Sequence, residues 1–499
     1  MRRDESQRHR QERLRHVLLV APILLLSGCL HVPKYQRPAA VVPPAFKEAP
    51  PEGWKSATPN DGVLRGKWWE LFGDPALNTL EEQVAISNQN VLQAEANFRE
   101  AKALVRQARS ALYPLVTATA GATGQQASSR LSSGPTAIAP SPVGVYEVGV
   151  NGSYTVDLWG SIHRQVTSTA NTAQATAAQL ENARLLYQSE LASDYFQLHG
   201  TDGDVALLTQ TVSSYQEYLT LTRNRFAGGV ASDSDVAQAE TQLYTTQAEL
   251  VDLQVQRTQL EHAIAVLIGK PPAQLAIPAA PIQVPPPLIP VAVPSVLLER
   301  RPDIAEAERN ASAANQQIGI AMAAFYPNLT LSAGAGLQAS TIVNWLTWPS
   351  RFWTIGPQLA QILFDAGRRT AVVAQFQAAY DATAAAYRQT VLTAFQQVED
   401  NLSALRVLEN ESTVLDRAVS SAERSLTLSR AQYLGGIAAY LQVITSQTTA
   451  LQNQRAAVDL HTRRMIASVG LIQALGGGWD ASQLPTVKEV SQPTPPTQR

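Results

Sequence analysis

Residues 111–122 read "ALYPLVTATAGA", and residues 324–335 read "AFYPNLTLSAGA". The stretches stand 213 positions apart, and each runs an alanine-rich, helix-like segment into Tyr-Pro and then into small residues. Proline stops a helix and drives the residue before it into an extended conformation, so each stretch marks a helix-to-strand junction. Beyond the proline the alternation is strict. Val116, Ala118, Ala120 and Ala122 fall on one face, and Thr117, Thr119, Gly121 and Thr123 on the other. The later stretch sets Leu329, Leu331, Ala333, Ala335 and Leu337 against Thr330, Ser332, Gly334, Gly336 and Gln338. A partner strand follows the first, in which Tyr146, Val148, Val150, Tyr154 and Val156 alternate with Glu147, Gly149, Asn151, Ser153 and Thr155. Its counterpart spans about Trp353–Phe364, where Pro357 disturbs the pattern.

The match at offset 213 extends upstream, aligning Ala94-Glu95 with Ala307-Glu308 and Asn97 with Asn310. A second match, at offset 207, pairs "LTLTRNRFAGGVA" (219–231) with "LTLSRAQYLGGIA" (426–438). The chain is therefore a tandem duplication, about 64–270 and 295–478, with a period too long for a solenoid. Between the copies a proline-rich stretch, 271–294, reads as an extended linker rather than a helix. The first copy is expected to hold a β-hairpin at about 115–157 and a reversal at about 226–232. The second is expected to hold them at about 328–365 and 433–439. Residues 479–499 are expected to form a disordered tail.

An uncharged, apolar face sustained over about ten alternating residues is the mark of a transmembrane β-strand. Tyr113, Trp159, Phe325, Tyr326, Trp345, Trp348 and Trp353 cluster at the strand ends, where an interfacial girdle is needed. On the strands alone, two soluble hairpins packed against helices fit the same alternation. The amino terminus weighs against that alternative. Residues 1–16 carry six arginines, "VLLVAPILLL" follows, and Leu26-Ser27-Gly28-Cys29 matches the bacterial lipobox. Residues 1–28 thus read as a lipoprotein signal peptide, Cys29 as the acylated (palmitate-bearing) mature terminus, and 29–63 as an extended, lipid-anchored segment. Removing residues 1–28 takes away six arginines and three acids, so the net charge falls from −2 to −5. With only 16% charged residues and near neutrality, nothing points to nucleic acid as a partner.

Every later apolar run is broken by polar side chains, so a crossing must be made by strands. Four strands per chain cannot close a barrel, for which about eight is the practical minimum, and open edges cannot stand in lipid. Two chains would supply eight strands and three would supply twelve, and only the larger barrel leaves an aqueous lumen.

Val205, Leu208, Val212, Tyr215, Leu219, Thr222 and Phe226 step alternately by three and four, a heptad seam. The seam returns through Val236, Ala239, Leu243, Thr246, Leu250 and Leu253, with Arg257 as the exception, then Leu260, Ile264 and Leu267. A helix from about Gly160 to Phe226 would be roughly 100 Å long at 1.5 Å per residue. The reversals fall at Gly228-Gly229 and Gly435-Gly436, where a tight turn wants glycine.

With these features in place the sequence resembles the TolC-like outer membrane efflux family, in its lipid-anchored, NodT-type branch. The resemblance rests on "WWELFGDPALNTL" (68–80), "YTVDLWGSI" (154–162), "LLERRPDIAEAE" (297–308), "AFYPNLTLSAGAG", "ILFDAGRR" (362–369) and "ALGGGW" (474–479), and covers nearly the whole mature chain. It implies a mixed α/β membrane channel. Long coiled-coil-like helices would form a periplasmic α-barrel, and four transmembrane strands from each of three chains would close a twelve-stranded β-barrel in the outer membrane. It also implies a periplasmic adaptor and an inner-membrane transporter, of the resistance-nodulation-division type, as partners. The helix reversals would be the periplasmic tip, so Gly229, Val230, Ala231, Gly436, Ile437 and Ala438 are expected to meet the adaptor. In related channels an acidic and a basic residue beyond the second tip help to hold the entrance closed; here Thr445 and Thr448 occupy those positions. Leu441 matches the family's apolar constriction, so closure would fall to packing by Leu441 and Tyr440 or to a different set of charges. Asp233, Asp235 and Glu240 on the first limb could supply acidity there, and read first as a solvated helix face.

Arg300, Arg301 and Asp303 read as capping and pairing residues, and Trp68 and Trp69 as anchors that dock the amino-terminal segment. The histidines at 163, 199, 262 and 461 are isolated, and no HExxH, GxSxG or GxxxxGK[ST] pattern occurs, so no catalytic or metal site and no cofactor is expected. The reading is a passive exit duct for small amphipathic compounds. A duct for type I polypeptide secretion and a non-channel coiled-coil scaffold are the alternatives.

Overall fold

The computed structural model describes residues 34–48, 66–126, 142–289 and 294–492. The signal peptide, Cys29, most of the first hairpin loop and the last seven residues lie outside them. The duplication is plain in the elements. Helices α1 (Pro75–Ser87) and α2 (Gln89–Ser110) lead into β1 (Leu115–Gln125) and β2 (Val143–Val156). Then come α3 (Ser161–Ala227) and α4 (Asp233–Leu267). The second copy runs α5 (Pro294–Arg300), α6 (Pro302–Ala323), β3 (Asn328–Ala339), β4 (Arg351–Ala360), α7 (Arg368–Leu434) and α8 (Tyr440–Ala474). The long helices α3 and α7 have 67 residues each, and α4 and α8 have 35 each. No described helix is long and apolar enough to cross a membrane.

The chain divides into two compact units. The first, built on Leu104–Ala170 and Ser312–Ala382, holds the sheet. All four strands are antiparallel in the order β1-β2-β3-β4, so the two hairpins join through β2 and β3. Register aligns the alternating faces across every strand. Ala120 pairs with Val148, Val148 with Leu337, and Leu337 with Arg351; Ala118 pairs with Val150, Val150 with Ala335, and Ala335 with Trp353. Val116–Ala122, Tyr146–Val156, Leu329–Ala339 and Trp353–Leu359 therefore turn their alternate apolar residues to one face, while Thr119, Asn151, Gly334 and Thr354 share the other with Phe352. Asn151 Nδ2 donates to Thr119 Oγ1 at 3.2 Å on that polar face. The fourth strand begins at Arg351 and ends at Ala360, earlier than the expected Trp353–Phe364. Pro357 stands within β4, which is an edge strand of this sheet, the position where proline is tolerated.

Two of the family-like motifs are the joints between strand and long helix. Asp157 in "YTVDLWGSI" accepts from the N–H groups of Ile162 (3.1 Å) and His163 (2.9 Å), and so caps α3. Asp365 in "ILFDAGRR" accepts from Gly367 (3.2 Å) and Arg369 (3.2 Å) at the start of α7. The Trp159 indole donates to the Pro327 carbonyl at 2.8 Å and packs 4.6 Å from the Tyr326 ring, fastening the second Tyr-Pro to the first copy.

The second unit takes in the described parts of Pro38–Ala103, Asn171–Ala311 and Thr383–Arg499. Its core gathers Trp68, Trp69 and Phe72 against Phe196, Tyr387, Val391 and Ile472. The Phe72 and Phe196 rings are 4.9 Å apart, so the two tryptophans dock as expected. The helical run ahead of the first Tyr-Pro is broken at Asn88, whose side chain accepts from Asn90 and Val91 N–H and donates to the Leu267 carbonyl. Arg301 pairs with Asp303 at 2.7 Å and donates to the Ala474 carbonyl at the end of α8.

The proline-rich linker lies on the helices rather than free of them. Arg257, the one break in the heptad seam, donates to the Ile277 carbonyl and to Asp202, each at 2.7 Å. Glu261 accepts from Ile277 N–H, and Asp202 from Ala280 N–H. A polar residue stands in the seam there because it holds a second chain segment. The amino-terminal segment is fixed in the same way. Arg388 donates to the Ala39 carbonyl, and Glu399 accepts from the N–H groups of Lys47 and Glu48. The tail corrects an expectation. Residues 479–492 are ordered, with α9 (Val487–Val490) opened by a Thr486–Glu489 capping box. Trp479 packs on Ala178 and Ala305, and Val490 is fully buried. Apolar burial fixes a segment that composition alone marks as loose.

Candidate functional site

The helix reversals are built alike. Gly229 and Gly436 each sit at φ 73°, a left-handed conformation that side chains resist. The N–H of Val230 returns to the Arg225 carbonyl (2.8 Å), and that of Ile437 to the Gln432 carbonyl (2.9 Å). Each long helix thus ends in a Schellman turn, which satisfies its last carbonyls and turns the chain back at once. Ser232 and Asp235 form a capping box that opens α4. In the second copy Ala439 stands at the cap position and makes no side-chain bond. Val230 is 69% exposed and Ile437 82% exposed, so each turn presents one bare apolar side chain at its apex. Gly229 and Gly436 are exposed beside them, and Ala231 and Ala438 are half-buried.

Below the turns Tyr215, Tyr218, Leu219, Ala239, Leu243, Tyr433, Tyr440 and Val443 form a separate buried cluster. Two cations brace it. The Arg225 guanidinium lies 4.6 Å from the Tyr433 ring, and Arg430 lies 5.1 Å from the Tyr218 ring. Each pair joins α3 to α7, one in each direction. These residues escaped the sequence reading. Their signal was the co-occurrence of tyrosine and arginine near both glycine pairs, but nothing in a one-dimensional period says that residues more than 200 positions apart are partners.

The expected constriction residues separate. Leu441 is 60% exposed, whereas Tyr440 is 2% exposed and packs 5.3 Å from the Tyr433 ring. Tyr440 is therefore part of the wall, not beside Leu441 on an open surface, and burial pushes its phenol up to about 12. Tyr440, Val443, Gln447 and Ala450 form the buried stripe of α8, and Leu441 stands one position off it. Thr445 is exposed, and its hydroxyl donates to the Leu441 carbonyl of its own helix at 3.0 Å. Thr448 accepts weakly from Gln242 Nε2 (3.4 Å), which also donates to the Tyr215 hydroxyl (3.2 Å). That amide ties α4 to both α3 and α8. Of the first-limb acids, Asp235 is spent in its cap and Glu240 pairs with Arg223 at 2.6 Å. Among the described residues no group of three or more His, Cys, Asp or Glu stands together as a metal cage.

On the sheet, glycine has a steric role. A Cβ at Gly336 would meet the Val148 carbonyl oxygen at 2.2 Å and the Phe352 ring at 2.9 Å. Phe352 thus lies flat on the otherwise polar face, in the space that glycine leaves.

The family model described as "Outer membrane efflux protein" matches residues 80–270 and 293–477. The chain is 31% identical over 466 residues to outer membrane protein OprJ of Pseudomonas aeruginosa, covering 93% of this chain and 95% of that one. It is 29% identical over 475 residues to the pyoverdine export outer membrane protein OpmQ of the same species, covering 94% and 98%. Among solved structures it is similar to a membrane protein from Pseudomonas aeruginosa, with a TM-score of 0.82 at 30% identity over 91% of this chain and 98% of that one. It is also similar to the Neisseria gonorrhoeae MtrE outer membrane channel in its open state, with a TM-score of 0.79 at 25% identity over 91% and 99%.

Proposed function

The chain belongs to the outer membrane efflux protein family, and from that membership we infer that it is the outer membrane channel of a tripartite efflux system. Its strands are transmembrane and its long helices continue the duct on the periplasmic side. The observation that carries this reading is the register of the sheet. The four strands gather most of their apolar residues on one face and all their Thr, Ser, Asn and Gln residues on the other, Phe352 being the aromatic exception, and the outer edges of β1 and β4 are left unpaired. A lipid-facing wall with an aqueous inner side fits that arrangement.

The unpaired edges support a homotrimer. Backbone groups cannot stand unpaired in hydrocarbon, and joining β4 of one chain to β1 of the next in three copies gives a closed twelve-stranded barrel. The lipobox at Cys29 adds an acyl anchor in the outer membrane lipid. The two Schellman turns, with bare Val230 and Ile437, suit a grip by a periplasmic adaptor, with Gly229, Ala231, Gly436 and Ala438 providing close backbone approach. The adaptor would link the channel to an inner-membrane transporter of the resistance-nodulation-division type, which supplies the energy. OpmQ is named for pyoverdine export and Pseudomonas putida TtgC for toluene efflux, so small amphipathic compounds are the cargo assigned here. Nothing in a passive duct calls for a catalytic step.

The test is conductance. The purified full chain in a planar bilayer should give stepwise currents and run as a trimer in detergent by light scattering. Absence of current from a folded preparation would return the protein to the scaffold alternative. Export of a polypeptide, with no loss of small-molecule tolerance on deletion, would favour type I secretion.

A further inference from the structure

We propose that the β3–β4 connection, residues 340–350, is an interfacial flap seated in the outer leaflet, where it brings Arg351 to a phosphate of the glycolipid found there. The inference rests on the membrane reading above and adds a lipid site to it.

Two ring contacts decide which way the connection leans. Tyr146 stands on the apolar face, in register with Ala122 and Ala339, and the Trp345 ring lies 6.0 Å from it. Arg351 pairs with Leu337 on the same face, and its guanidinium lies 4.8 Å from the Trp348 ring. Arg351 Nη1 also reaches the Trp348 carbonyl at 3.4 Å. Both tryptophans are thus held on the apolar side of the sheet, away from the polar side that would line a lumen.

The composition of the connection suits that place. Residues 340–350 read "STIVNWLTWPS", without a charge. Ile342, Val343, Leu346 and Trp348 are all strongly exposed, Val343 at 83%. As a lid over water, the connection would hold four bare apolar side chains in the export path; against acyl chains it buries them. Several of its polar groups are satisfied from within, the buried Trp345 indole N–H excepted. Thr347 Oγ1 and Ser350 Oγ each donate to the Asn344 carbonyl at 2.7 Å, and the short helical turns Ile342–Asn344 and Trp348–Ser350 bond their own backbone. Internal satisfaction is what irregular backbone needs near hydrocarbon. Arg351 is the first cation after this uncharged run, on a stem that lets its head reach the headgroup layer. The helices leave the sheet before Leu115 and Asn328 and after Val156 and Ala360, at the end opposite this connection. With the helices in the periplasm, the connection meets the outer leaflet, whose lipid is a phosphorylated, multiply acylated glycolipid. A guanidinium and a phosphate form the matching charge pair.

The test uses the full chain reconstituted in bilayers of phospholipid and the glycolipid, labelled with an environment-sensitive dye at V343C or, on the sheet face, at I355C. Both dyes should be quenched by brominated acyl chains and shielded from aqueous iodide. Iodide quenching at V343C with bromine quenching at I355C overturns the flap alone; iodide quenching at both overturns the membrane reading beneath it. For the phosphate, glycolipid retained through purification should fall about fivefold in R351Q and be held in R351K, as loss of one charge-assisted contact requires. Dephosphorylated glycolipid should bind the unaltered chain no better than intact glycolipid binds R351Q. Equal retention by R351Q and the unaltered chain, or displacement of the glycolipid by an anionic phospholipid at equal concentration, overturns the glycolipid assignment.

Discussion

The guanidinium of Arg225 lies 4.6 Å from the ring of Tyr433, so a cation on the first long helix rests on an aromatic face of the second. Since Arg430 and Tyr218 repeat the contact in the other direction, α3 and α7 are clasped twice near the reversals. Each contact contributes about 0.5–1 kcal/mol where it is solvent-accessible. R225Q and Y433L should each lower the unfolding midpoint slightly, and the double variant should lose less than the sum of the two. If the duct narrows near the reversals, single-channel recording should find a higher resting conductance in either variant, because the clasp holds the two helices together there. Additive losses with unchanged conductance would remove the clasp from any part in closure.

How much of this was legible follows from the kind of signal involved. Alternation has a period of two and heptads a period near 3.5, so strand faces and the α3–α4 seam could be read from Val116–Ala122 and Leu208–Leu267 without a structure. The exception at Arg257 was visible, but its reason was not, because its partners Asp202 and Ile277 lie on other elements. Tyr440 was misplaced because the resemblance drew attention to Leu441, while the stripe Tyr440, Val443, Gln447, Ala450 was already present in the sequence. The tail was misread because two short anchors, Trp479 and Val490, decide its order, and two residues make no period.

Asp202 is 3% exposed and receives Arg257, the Ala280 N–H and His199. D202N would remove the nearer of Arg257's two carboxylates, leaving Glu261 at 3.5 Å, in a largely buried site, at a cost of about 1–3 kcal/mol. Limited proteolysis should then cut first within 271–289, as the linker loses its anchor. Burial alone would raise the Asp202 carboxyl; the bonds from His199, Ala280 and Arg257 outweigh it and hold the group below its ordinary 3.8. A depressed folded value means that the stabilisation is complete above 3.8 and is lost as the pH falls below it. Linker cleavage by an acid-active protease should rise in that window for the unaltered chain and be nearly flat for D202N.

Asp194 behaves in the opposite sense. Burial, with Glu190 nearby, pushes its carboxyl up to about 6 from 3.8. The folded chain then holds this proton more tightly than the unfolded one, so the group's contribution to stability declines as the pH rises from 3.8 to 6. Thermal unfolding of D194N should show less loss across that interval and a higher midpoint than the unaltered chain at pH 7. An identical pH slope in the two proteins would mean that Asp194 is solvated in the assembled channel.

Gly336 and Gly356 separate steric need from mere composition. A Cβ at Gly336 meets the Val148 carbonyl at 2.2 Å, whereas nothing lies within 4 Å of one at Gly356. G336A should displace β3 from β2 and reduce the yield of assembled, protease-resistant channel, and G356A should assemble normally. Equal yields would show that the β2–β3 pair can shift without harm.

Tyr440 and Leu441 are neighbours in sequence with opposite surroundings, and the contrast yields the last prediction. Tyr440 is 2% exposed within the aromatic cluster, so Y440A removes a large buried side chain and should cost about 3–5 kcal/mol. Leu441 is 60% exposed, and L441A removes little packing; its stability should stay within about 0.5 kcal/mol of the unaltered chain. If Leu441 narrows the lumen, L441A alone should raise conductance while the unfolding midpoint stays in place. Y440F, which keeps the ring but gives up the hydroxyl's bond to buried Thr222, should cost about 1 kcal/mol and leave conductance unchanged. Conductance that rises in Y440F but not in L441A would transfer the constriction to the buried hydroxyl and remove Leu441 from the passage.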